Sequence, residues 1–374
     1  MGRVDVIRPL YKSFLQPPQQ LKTGNTGLWY DKFCDQWNDE DWTLSVNDKT
    51  RANPKLNWIK TVTEQPIGCM ELLEESISRL LRFITTKKGI FGIFTTKSRF
   101  VMGLGRNHPV ENGFAWHPTL GVPYLPGSSL KGLVRAWAQQ DAEPPMPHVD
   151  EILGSAGKAG HVVFVDAIPV EPVWLEADVV TPHYVGWNCE KPPGDWRGPT
   201  PAPFLVTKPE MAFVFALLPA RPAATETVKD VFKWLQNALT DAGAGAKTSV
   251  GYGRFCFDDS KTRKYKDLLD KEQRDRREAT RRTEAQRTPE GRWSLKLEGK
   301  SEWEILDFVR EHLEKEPLPN ADERQGLARA VIATKLPEWW CRGKKRDHAT
   351  KVGEAKLKAR GKLVLREAGS ANGK

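Results

Sequence analysis

The sequence predicts an α+β protein with a ferredoxin-like core, in which two helices accompany a sheet. Between about residues 90 and 258, strand-like and helix-like segments alternate in the order strand, helix, two or three strands, helix, strand, which is the order of a split βαβ fold. Glycine- and proline-rich connections separate these segments. An apolar fraction of 39% over 374 residues is sufficient for a sizeable core.

The region before this core is predicted to be an irregular arm over residues 1–60. It is rich in Pro, Asn, Asp and Trp and has no sustained periodicity. We expect its tryptophans to pack onto a larger body, and they are Trp29, Trp37, Trp42 and Trp58. Apolar residues at helical spacing then predict an amphipathic helix over 67–84, which Gly89 ends.

The core domain is predicted to span residues 61–258. It begins with two extended segments, Ile90–Thr96 and Ser98–Leu104, and continues with a helix over Ser128–Gln140. The remaining predicted elements are buried strands at His161–Val165 and Met211–Leu218, a helix at Thr227–Thr240 and a final strand at Tyr252–Phe257.

The chain changes character after residue 259, where charged helices are predicted. Eleven basic and six acidic residues lie between Lys261 and Arg287, a balance typical of an exposed helix with ion pairs. Further helices are predicted at Trp303–Leu313 and Leu327–Leu336. We assign residues 259–374 to a charged helical extension that ends in a basic tail.

The net charge of +9 favours a polyanionic partner. Ten Lys or Arg residues lie between Arg342 and Arg366, against only Asp347 and Glu354, so most of the excess charge lies near the C-terminus. This stretch is either a solvated basic tail or a direct RNA contact.

Composition also bounds the compartment and the cofactors. No apolar run approaches the roughly 18 residues that cross a bilayer, and the N-terminus lacks the apolar segment of a secretion signal, so we expect a cytoplasmic protein without a membrane partner. The five cysteines are scattered singly and are expected to be reduced thiols. Seven dispersed histidines form no paired metal-ligand pattern, so no metal or other cofactor is predicted.

The glycine-rich segment from Gly243 to Arg254 is the sharpest local motif. Its glycines allow the backbone to approach a ligand closely, and Lys247 and Arg254 add positive charge. An ATP-binding P-loop requires Gly directly before the Lys and a helix after it, whereas Ala246 and a predicted strand occur here. Two alternatives stay open: a binding loop for polymeric phosphate, and a tight helix-to-strand turn with positive φ angles.

A second candidate is the loop Gly121–Pro126 with the start of the following helix. Residues 127–129 supply a turn and an N-cap hydroxyl. Free N–H groups and the helix dipole favour an anion at such an N-terminus, and Lys131 and Arg135 lie one turn apart beside it. The alternative is an ordinary capped helix with two exposed cations.

A long proline-rich insertion separates two strands between Pro182 and Phe204. Four of its side chains are expected either to stack on unpaired bases, at roughly 1–3 kcal/mol per stack, or to pack the insertion down. They are His183, Tyr184, Trp187 and Trp196.

Signals for catalysis are weak. The sequence contains no GxSxG elbow and establishes no Cys–His constellation. His117 or His183 is the candidate general acid or base for metal-independent RNA cleavage, because imidazole titrates near neutrality. Asp166 and Asp195 are assigned no chemistry and are interpreted as cap or turn residues.

Four groups of residues follow a known pattern in a fixed order. The first is GVPYLPGSSLKGLVR at Gly121–Arg135, preceded by SRFVMGLG at Ser98–Gly105. The others are Leu153–Ser155 with VVFVDAIP at Val162–Pro169, His183–Tyr184 with PPGDW at Pro192–Trp196, and GAGAKTSVGYGRF at Gly243–Phe255. Together they resemble the RAMP superfamily, and within it subunit six of the Cmr effector of type III-B CRISPR systems, over roughly residues 90–258.

This resemblance implies an RRM-like core and a non-catalytic role. In that family the glycine-rich loop and the insertion contact guide RNA and adjacent subunits, and the subunit caps the backbone filament toward the 3′ end of the guide. Target cleavage belongs to the repeated backbone subunit. The implied partners are guide RNA, target RNA and other RAMP subunits.

No catalytic residue is predicted, and the predicted RNA contacts come from the three loops. They are Ser128, Ser129, Lys131, Arg135, His183, Tyr184, Trp187, Trp196, Gly243, Gly245, Lys247, Thr248, Gly251, Gly253 and Arg254. One alternative is a metal-independent RAMP endoribonuclease that processes guide RNA. The other is a protein-assembly subunit with little RNA contact, whose complex formation would be insensitive to salt.

Overall fold

The computed structural model describes residues 24–37, 43–44, 53–181, 201–315, 318–334, 336 and 351–369. The chain divides into two compact units, Met1–Leu269 and Asp270–Lys374, and each is described by itself. The domain boundaries expected from the sequence, after residues 60 and 258, stay predictions.

The first unit contains a mixture of helices and short strands. Its helices are α1 (Thr26–Lys32), α2 (Pro54–Lys60), α3 (Met70–Thr86), α4 (Gly127–Ala136), α5 (Val149–Leu153) and α6 (Thr225–Asp241). Its strands are β1 (Ile90–Thr96), β2 (Gly154–Ser155), β3 (Lys158–Ala159), β4 (Val162–Phe164), β5 (Ile168–Pro169), β6 (Leu175–Val180), β7 (Ala202–Thr207), β8 (Ala212–Pro219) and β9 (Phe255–Phe257). A π-helical turn at Trp137–Asp141 extends α4.

The main sheet confirms the predicted α+β, ferredoxin-like architecture. Its strand order is β4–β8–β1–β9, β5 also pairs with β8, and every pairing is antiparallel. The central register runs from Ile90 opposite Leu217 to Thr95 opposite Ala212. Helices α4 and α6 pack together, α4 against β4, and α6 against β8 and β9. The order of elements along the chain therefore produced the predicted topology.

The core of this unit is rich in aromatic side chains. Phe94 on β1 makes edge-on contacts with Phe215, Phe232 and Phe257.

Helix α3 packs against β1 and β8 and buries the side chains Leu73, Ile77, Leu81 and Ile84, which are spaced three or four residues apart. This spacing confirms the amphipathic helix predicted for 67–84.

The segment Ser98–Leu104, which was predicted to be extended, forms no strand of the sheet. The chain leaves the sheet after Thr96, and within this segment only Phe100 forms a bridge, to Thr207. Strands β6 and β7 form a separate two-stranded hairpin, and its end pairs with Phe100. The final strand is also shorter than predicted, because residues 252–254 belong to the glycine-rich loop instead.

The N-terminal arm is less irregular than predicted, since it contains α1 and α2. Trp58 is fully buried, stacks on Trp29 at 4.5 Å between ring centroids and donates a hydrogen bond from Nε1 to the Tyr30 carbonyl at 3.1 Å. Trp37 also packs against the core, whereas Trp42 lies outside the described residues. Helix α2 packs against the β6–β7 hairpin. The tryptophans that the structure describes therefore pack onto the core, as expected.

The charged extension is helical where the structure describes it. Its helices are α7 (Asp259–Gln286), which includes the boundary between the units, α8 (Pro289–Leu297), α9 (Glu302–Val309), α10 (Ala321–Ala333) and α11 (Lys351–Glu367). The second unit has its own apolar core, which includes Trp293, Val309, Leu327 and Val364. Ion pairs four residues apart confirm the interpretation of α7 as an exposed, charge-paired helix.

Within the described ranges, no helix is both long enough and apolar enough to cross a membrane. The three cysteines that the structure describes, Cys34, Cys69 and Cys256, are free thiols, as predicted. Cys189 and Cys341 lie outside the described residues.

Candidate nucleic-acid interface

The base of the glycine-rich loop is anchored on the segment that follows β1. Ala246 N–H donates to the Val101 carbonyl at 2.8 Å, and Gly253 N–H donates to the Arg99 carbonyl at 2.7 Å. A Cβ atom on Gly253 would lie 1.9 Å from the Ala244 carbonyl oxygen, and its φ is +72°. The tight-turn interpretation therefore explains this part of the motif, because only glycine fits there.

The tip of the loop is open. Lys247 adopts a left-handed conformation with φ of 62°, a short 3-10 turn follows at residues 248–250, and Gly251 is left-handed as well. The backbone N–H groups of Lys247, Thr248 and Ser249 have no hydrogen-bond partner among the described residues. Successive unpaired N–H groups beside a lysine provide donors suited to phosphate oxygens. The anchored base and the open tip thus have different roles.

The hairpin and the glycine-rich loop are joined by polar contacts. Tyr252 Oη donates to Asp178 Oδ2 on β6, and Arg99 contacts the same carboxylate at 3.2 Å and Glu176 through Nε. Burial, and secondarily the hydrogen bond to Asp178, raise the pKa of Tyr252, so its hydroxyl remains a donor at neutral pH.

The hairpin also supplies the surface beneath Lys247. Phe204 on β7 is fully buried and is the cross-strand partner of Asp178. The Lys247 Nζ lies 5.4 Å from the centroid of its ring, within range of a cation–π interaction. The glycine-rich loop and the strands that border the insertion therefore form one composite surface, which we call the loop–hairpin surface (residues 99, 176, 178, 204 and 247–252).

Arg254 has a different environment from Lys247. Its guanidinium donates to the Ala242 carbonyl, immediately beyond α6, and its backbone N–H donates to Ser98 Oγ at 3.0 Å. A cation at the C-terminal end of a helix is favoured by the unsatisfied carbonyl groups there. This structural role explains the position of Arg254, and its predicted RNA contact stays a prediction.

Helix α4 begins differently from the prediction. Its N-cap is Pro126, and no side chain of Ser128 or Ser129 caps the helix. Asp166 Oδ1 instead accepts the Gly127 N–H at 2.7 Å, which confirms the interpretation of Asp166 as a cap. A carboxylate therefore already lies at the position where the sequence predicted an RNA phosphate.

The two cations predicted on α4 also differ. Arg135 is held by Asp150 and by the Gly154 carbonyl, so its guanidinium is used within the fold. Lys131 is half-buried and has no hydrogen-bond or ion-pair partner among the described residues. Lys131 is therefore the cation of this helix that is free to meet a ligand.

The structure does not bring the two predicted phosphate loops into contact. The glycine-rich loop packs on residues 98–101, whereas the start of α4 packs on Phe164 and Asp166 at the end of β4. The four aromatic residues predicted in the insertion, His183, Tyr184, Trp187 and Trp196, lie outside the described residues.

His117 lies in a groove of about 360 Å³, among apolar side chains that include Leu80, Phe83 and Leu120. Burial lowers its pKa, and Asp166 opposes this shift. The Leu120 N–H donates to Nδ1 at 3.3 Å, and Thr119 Oγ1 lies 3.2 Å from the same nitrogen. The described residues contain no group of three His, Cys, Asp or Glu side chains that could hold a metal ion.

Sequence reasoning missed Arg99, Glu176, Asp178 and Phe204. Arg99 lies within the SRFVMGLG segment, which was predicted to be extended and was assigned no RNA contact. The residues on β6 and β7 carried no recognised motif, although Leu175–Val180 is bounded by turn residues and was open to interpretation as a strand.

Comparison with known proteins gives a consistent family. The family described as "RAMPs: RAMP superfamily" matches residues 93–256. The CRISPR system Cmr subunit Cmr6 of Pyrococcus furiosus is 30% identical over 262 residues, which cover 52% of this chain and 76% of that protein. The Cmr6 subunit of Saccharolobus solfataricus is 31% identical over 180 residues, covering 46% of this chain and 55% of that protein.

Solved structures were compared as well. A cryo-EM structure of the type III-B Cmr-beta complex bound to cognate target RNA contains a chain with 24% identity and a TM-score of 0.46, covering 56% of this chain and 73% of that chain. The crystal structure of Cmr6 from P. furiosus has 27% identity and a TM-score of 0.30, covering 46% and 97%. From the family match and the sequence relatives, the chain belongs to the RAMP superfamily and, within it, to the Cmr6 family of CRISPR subunits.

Proposed function

We propose that this chain is a non-catalytic RNA-binding subunit of a type III-B CRISPR effector. It contacts guide RNA toward the 3′ end of the guide and caps the backbone filament formed by other RAMP subunits. The observation that carries the proposal is the loop–hairpin surface, on which an open, glycine-bounded tip with Lys247 is fixed to the strands that border the insertion.

The chemistry of this surface suits the sugar-phosphate backbone. Unpaired N–H groups at residues 247–249 and the Lys247 ammonium are donors for phosphate oxygens, and such contacts position RNA without reading its sequence. Pairing between guide and target supplies the specificity in guided effectors, so the protein needs to recognise only shape and charge. We therefore propose binding with little sequence preference.

The non-catalytic assignment rests on the environment of His117, the candidate acid or base that lies within the described residues. The Nδ1 atom of His117 accepts the Leu120 N–H, and His117 lines a groove whose other side chains are mostly apolar. Arg79, which also lines this groove, is 3.5 Å from Glu75. The Asp166 carboxylate, also in the groove, already accepts the Gly127 N–H. This arrangement favours a structural histidine.

The test is retention and cleavage of labelled guide-length RNA by the purified chain, with and without magnesium, across a salt series. The proposal predicts intact RNA and retention that weakens steeply with salt. Cleavage that disappears in a His117→Ala or a His183→Ala variant would establish the processing nuclease instead. Salt-insensitive assembly with partner subunits and no RNA retention would establish the assembly role.

A further inference from the structure

The exposed face of α11 in the second unit carries a row of cations. Lys358, Lys362 and Arg366 follow one another at four-residue spacing, so they lie on one side of the helix, about 6 Å apart along its axis. All three are exposed, and the side chain of Arg366 is 75% exposed. We call these three residues the α11 row.

The orientation of α11 is fixed by its other side. Gly361 is buried, and Val364 and Ala368 are buried in the core of the second unit. Arg360 donates from Nε to Glu314 at 2.8 Å, which adds a polar anchor. The helix is therefore held so that the α11 row faces away from this core.

The charges of the row are largely uncompensated. Lys358 and Lys362 have no carboxylate within ion-pair distance in the part of the chain that the structure describes. Arg366 is 3.3 Å from Glu367, its neighbour in sequence, and Glu367 also lies 3.5 Å from Arg324. Like charges four residues apart destabilise a helix, so the row disfavours the isolated helix unless an external anion neutralises it.

Helix α7 shows the contrasting arrangement in the same chain. Arg263 pairs with Asp259 at 2.7 Å and Arg282 pairs with Glu278 at 2.5 Å, each one turn away. That pattern is typical of a solvent-exposed helix whose charges are paired within the helix. Among the described side chains, none of the three cations of the α11 row has a carboxylate four residues away; Glu354, four residues before Lys358, has a side chain outside the described part of the chain.

We propose that the α11 row binds the sugar-phosphate backbone of RNA, in addition to the contacts proposed for the loop–hairpin surface. Protein interfaces are built around apolar anchors, and no large apolar side chain is exposed on the described part of α11. Backbone binding instead requires regularly placed cations. The same sign of charge continues upstream at Arg342, Lys344, Lys345 and Arg346. The inference needs only that the chain meets RNA, which the proposed function supplies.

The experiment compares full-length variants that lose the same charge at different places. The test variant is Lys358→Ala/Lys362→Ala/Arg366→Ala, and the matched control is Lys87→Ala/Lys264→Ala/Lys266→Ala, which removes three exposed cations of the first unit. A third variant, Lys358→Arg/Lys362→Arg/Arg366→Lys, keeps the charge of the row. Affinity for single-stranded guide-length RNA is measured against salt, and circular dichroism confirms folding of each variant.

The proposal predicts that the test variant binds at least about tenfold more weakly at about 0.1 M salt. Its salt slope should fall by about 2, because each phosphate that the row neutralises contributes about 0.7 to the slope. The charge-keeping variant should bind like the wild type.

Equal affinities for test and control variants would overturn the proposal while leaving the loop–hairpin surface intact. Unchanged RNA affinity with loss of partner subunits would also overturn it and indicate an acidic protein surface. A wild type without salt-sensitive RNA binding would overturn the proposed function itself.

Discussion

The hydroxyl of Tyr252 in the glycine-rich loop donates a hydrogen bond to the carboxylate of Asp178 on β6. These residues are 74 positions apart in the sequence. Asp178 also accepts a hydrogen bond from Arg99 at 3.2 Å. The contact fixes the loop relative to the strands that border the insertion. The glycine-rich loop is therefore supported by a strand that borders the insertion.

The first prediction concerns Asp178. Electrostatics alone would make Asp178→Ala bind RNA more tightly, because a negative charge is removed. If Asp178 positions the loop, the variant instead binds RNA about fivefold more weakly, a change of about 1 kcal/mol. Fluorescence anisotropy with labelled RNA measures the sign. Tyr252→Phe should weaken binding similarly without changing charge.

The control for this comparison is Asp267→Ala, which removes an exposed acid of α7. We expect its RNA affinity to be unchanged or slightly higher. Tighter binding by Asp178→Ala would show that the carboxylate merely opposes RNA, and that the contact with Tyr252 has no positioning role.

The second prediction concerns Lys247 and Lys131, the two cations of the predicted RNA contacts that have no hydrogen-bond or ion-pair partner among the described residues. Lys247→Ala and Lys131→Ala should each lower the salt slope of binding by about 0.7 and weaken binding equally for unrelated RNA sequences. Lys87→Ala serves as the control, because Lys87 is exposed and distant in sequence from both loops. A loss confined to particular sequences would contradict backbone recognition.

The third prediction separates a structural glycine from a tolerant one. A Cβ on Gly253 would overlap the Ala244 carbonyl at 1.9 Å, so Gly253→Ala should lower the free energy of unfolding by about 2–4 kcal/mol. A Cβ on Gly132, within α4, meets no atom within 4 Å, so Gly132→Ala should raise it by about 0.5–1 kcal/mol. Urea denaturation measures both. Equal effects would contradict the tight-turn interpretation of the loop.

The fourth prediction concerns the pH dependence of stability. Burial lowers the pKa of His108 to about 4, and the ring stacks on Tyr30 at 4.5 Å. Because the unfolded chain takes up this proton near pH 6.5, the contribution of His108 is complete above that pH and is lost as pH falls toward 4. Between pH 7 and pH 5 the loss is about 2 kcal/mol.

The comparison variant for this prediction is His108→Gln, which cannot titrate. Denaturation of both proteins at pH 7 and pH 5 isolates the His108 contribution from that of the nearby Asp31, whose own pKa is raised by burial. A wild type and variant that lose the same stability on acidification would show that His108 does not stay neutral in the fold.

Much of the fold was predictable because local patterns agreed with the global topology. The apolar run Ile90–Thr96 and the helical spacing of α3 and α6 identified those elements from sequence. Ser98–Leu104 was predicted to be extended, but its composition does not reveal that its backbone groups bind the glycine-rich loop and the hairpin. Long-range pairing of this kind leaves no periodicity in the sequence.

The candidate site was only partly predictable from the sequence, because its support comes from residues that are far apart in the chain. Lys247 and the glycines are recognisable from their motif, but the support from Asp178, Arg99 and Phe204 depends on contacts between distant segments. The capping of α4 by Asp166 rather than by a serine also depends on where β4 ends. Arg135 and Arg254 look like ligand contacts in sequence, whereas their partners are structural.

The most direct test of RNA binding at the loop–hairpin surface is crosslinking of guide-length RNA to the full chain, followed by identification of the crosslinked residues. We expect crosslinks at Lys247 and Tyr252, at the tip and support of this surface, and their reduction in the Asp178→Ala variant. Efficient crosslinks elsewhere on the chain, with none between residues 245 and 252, would contradict the assignment of this surface to RNA.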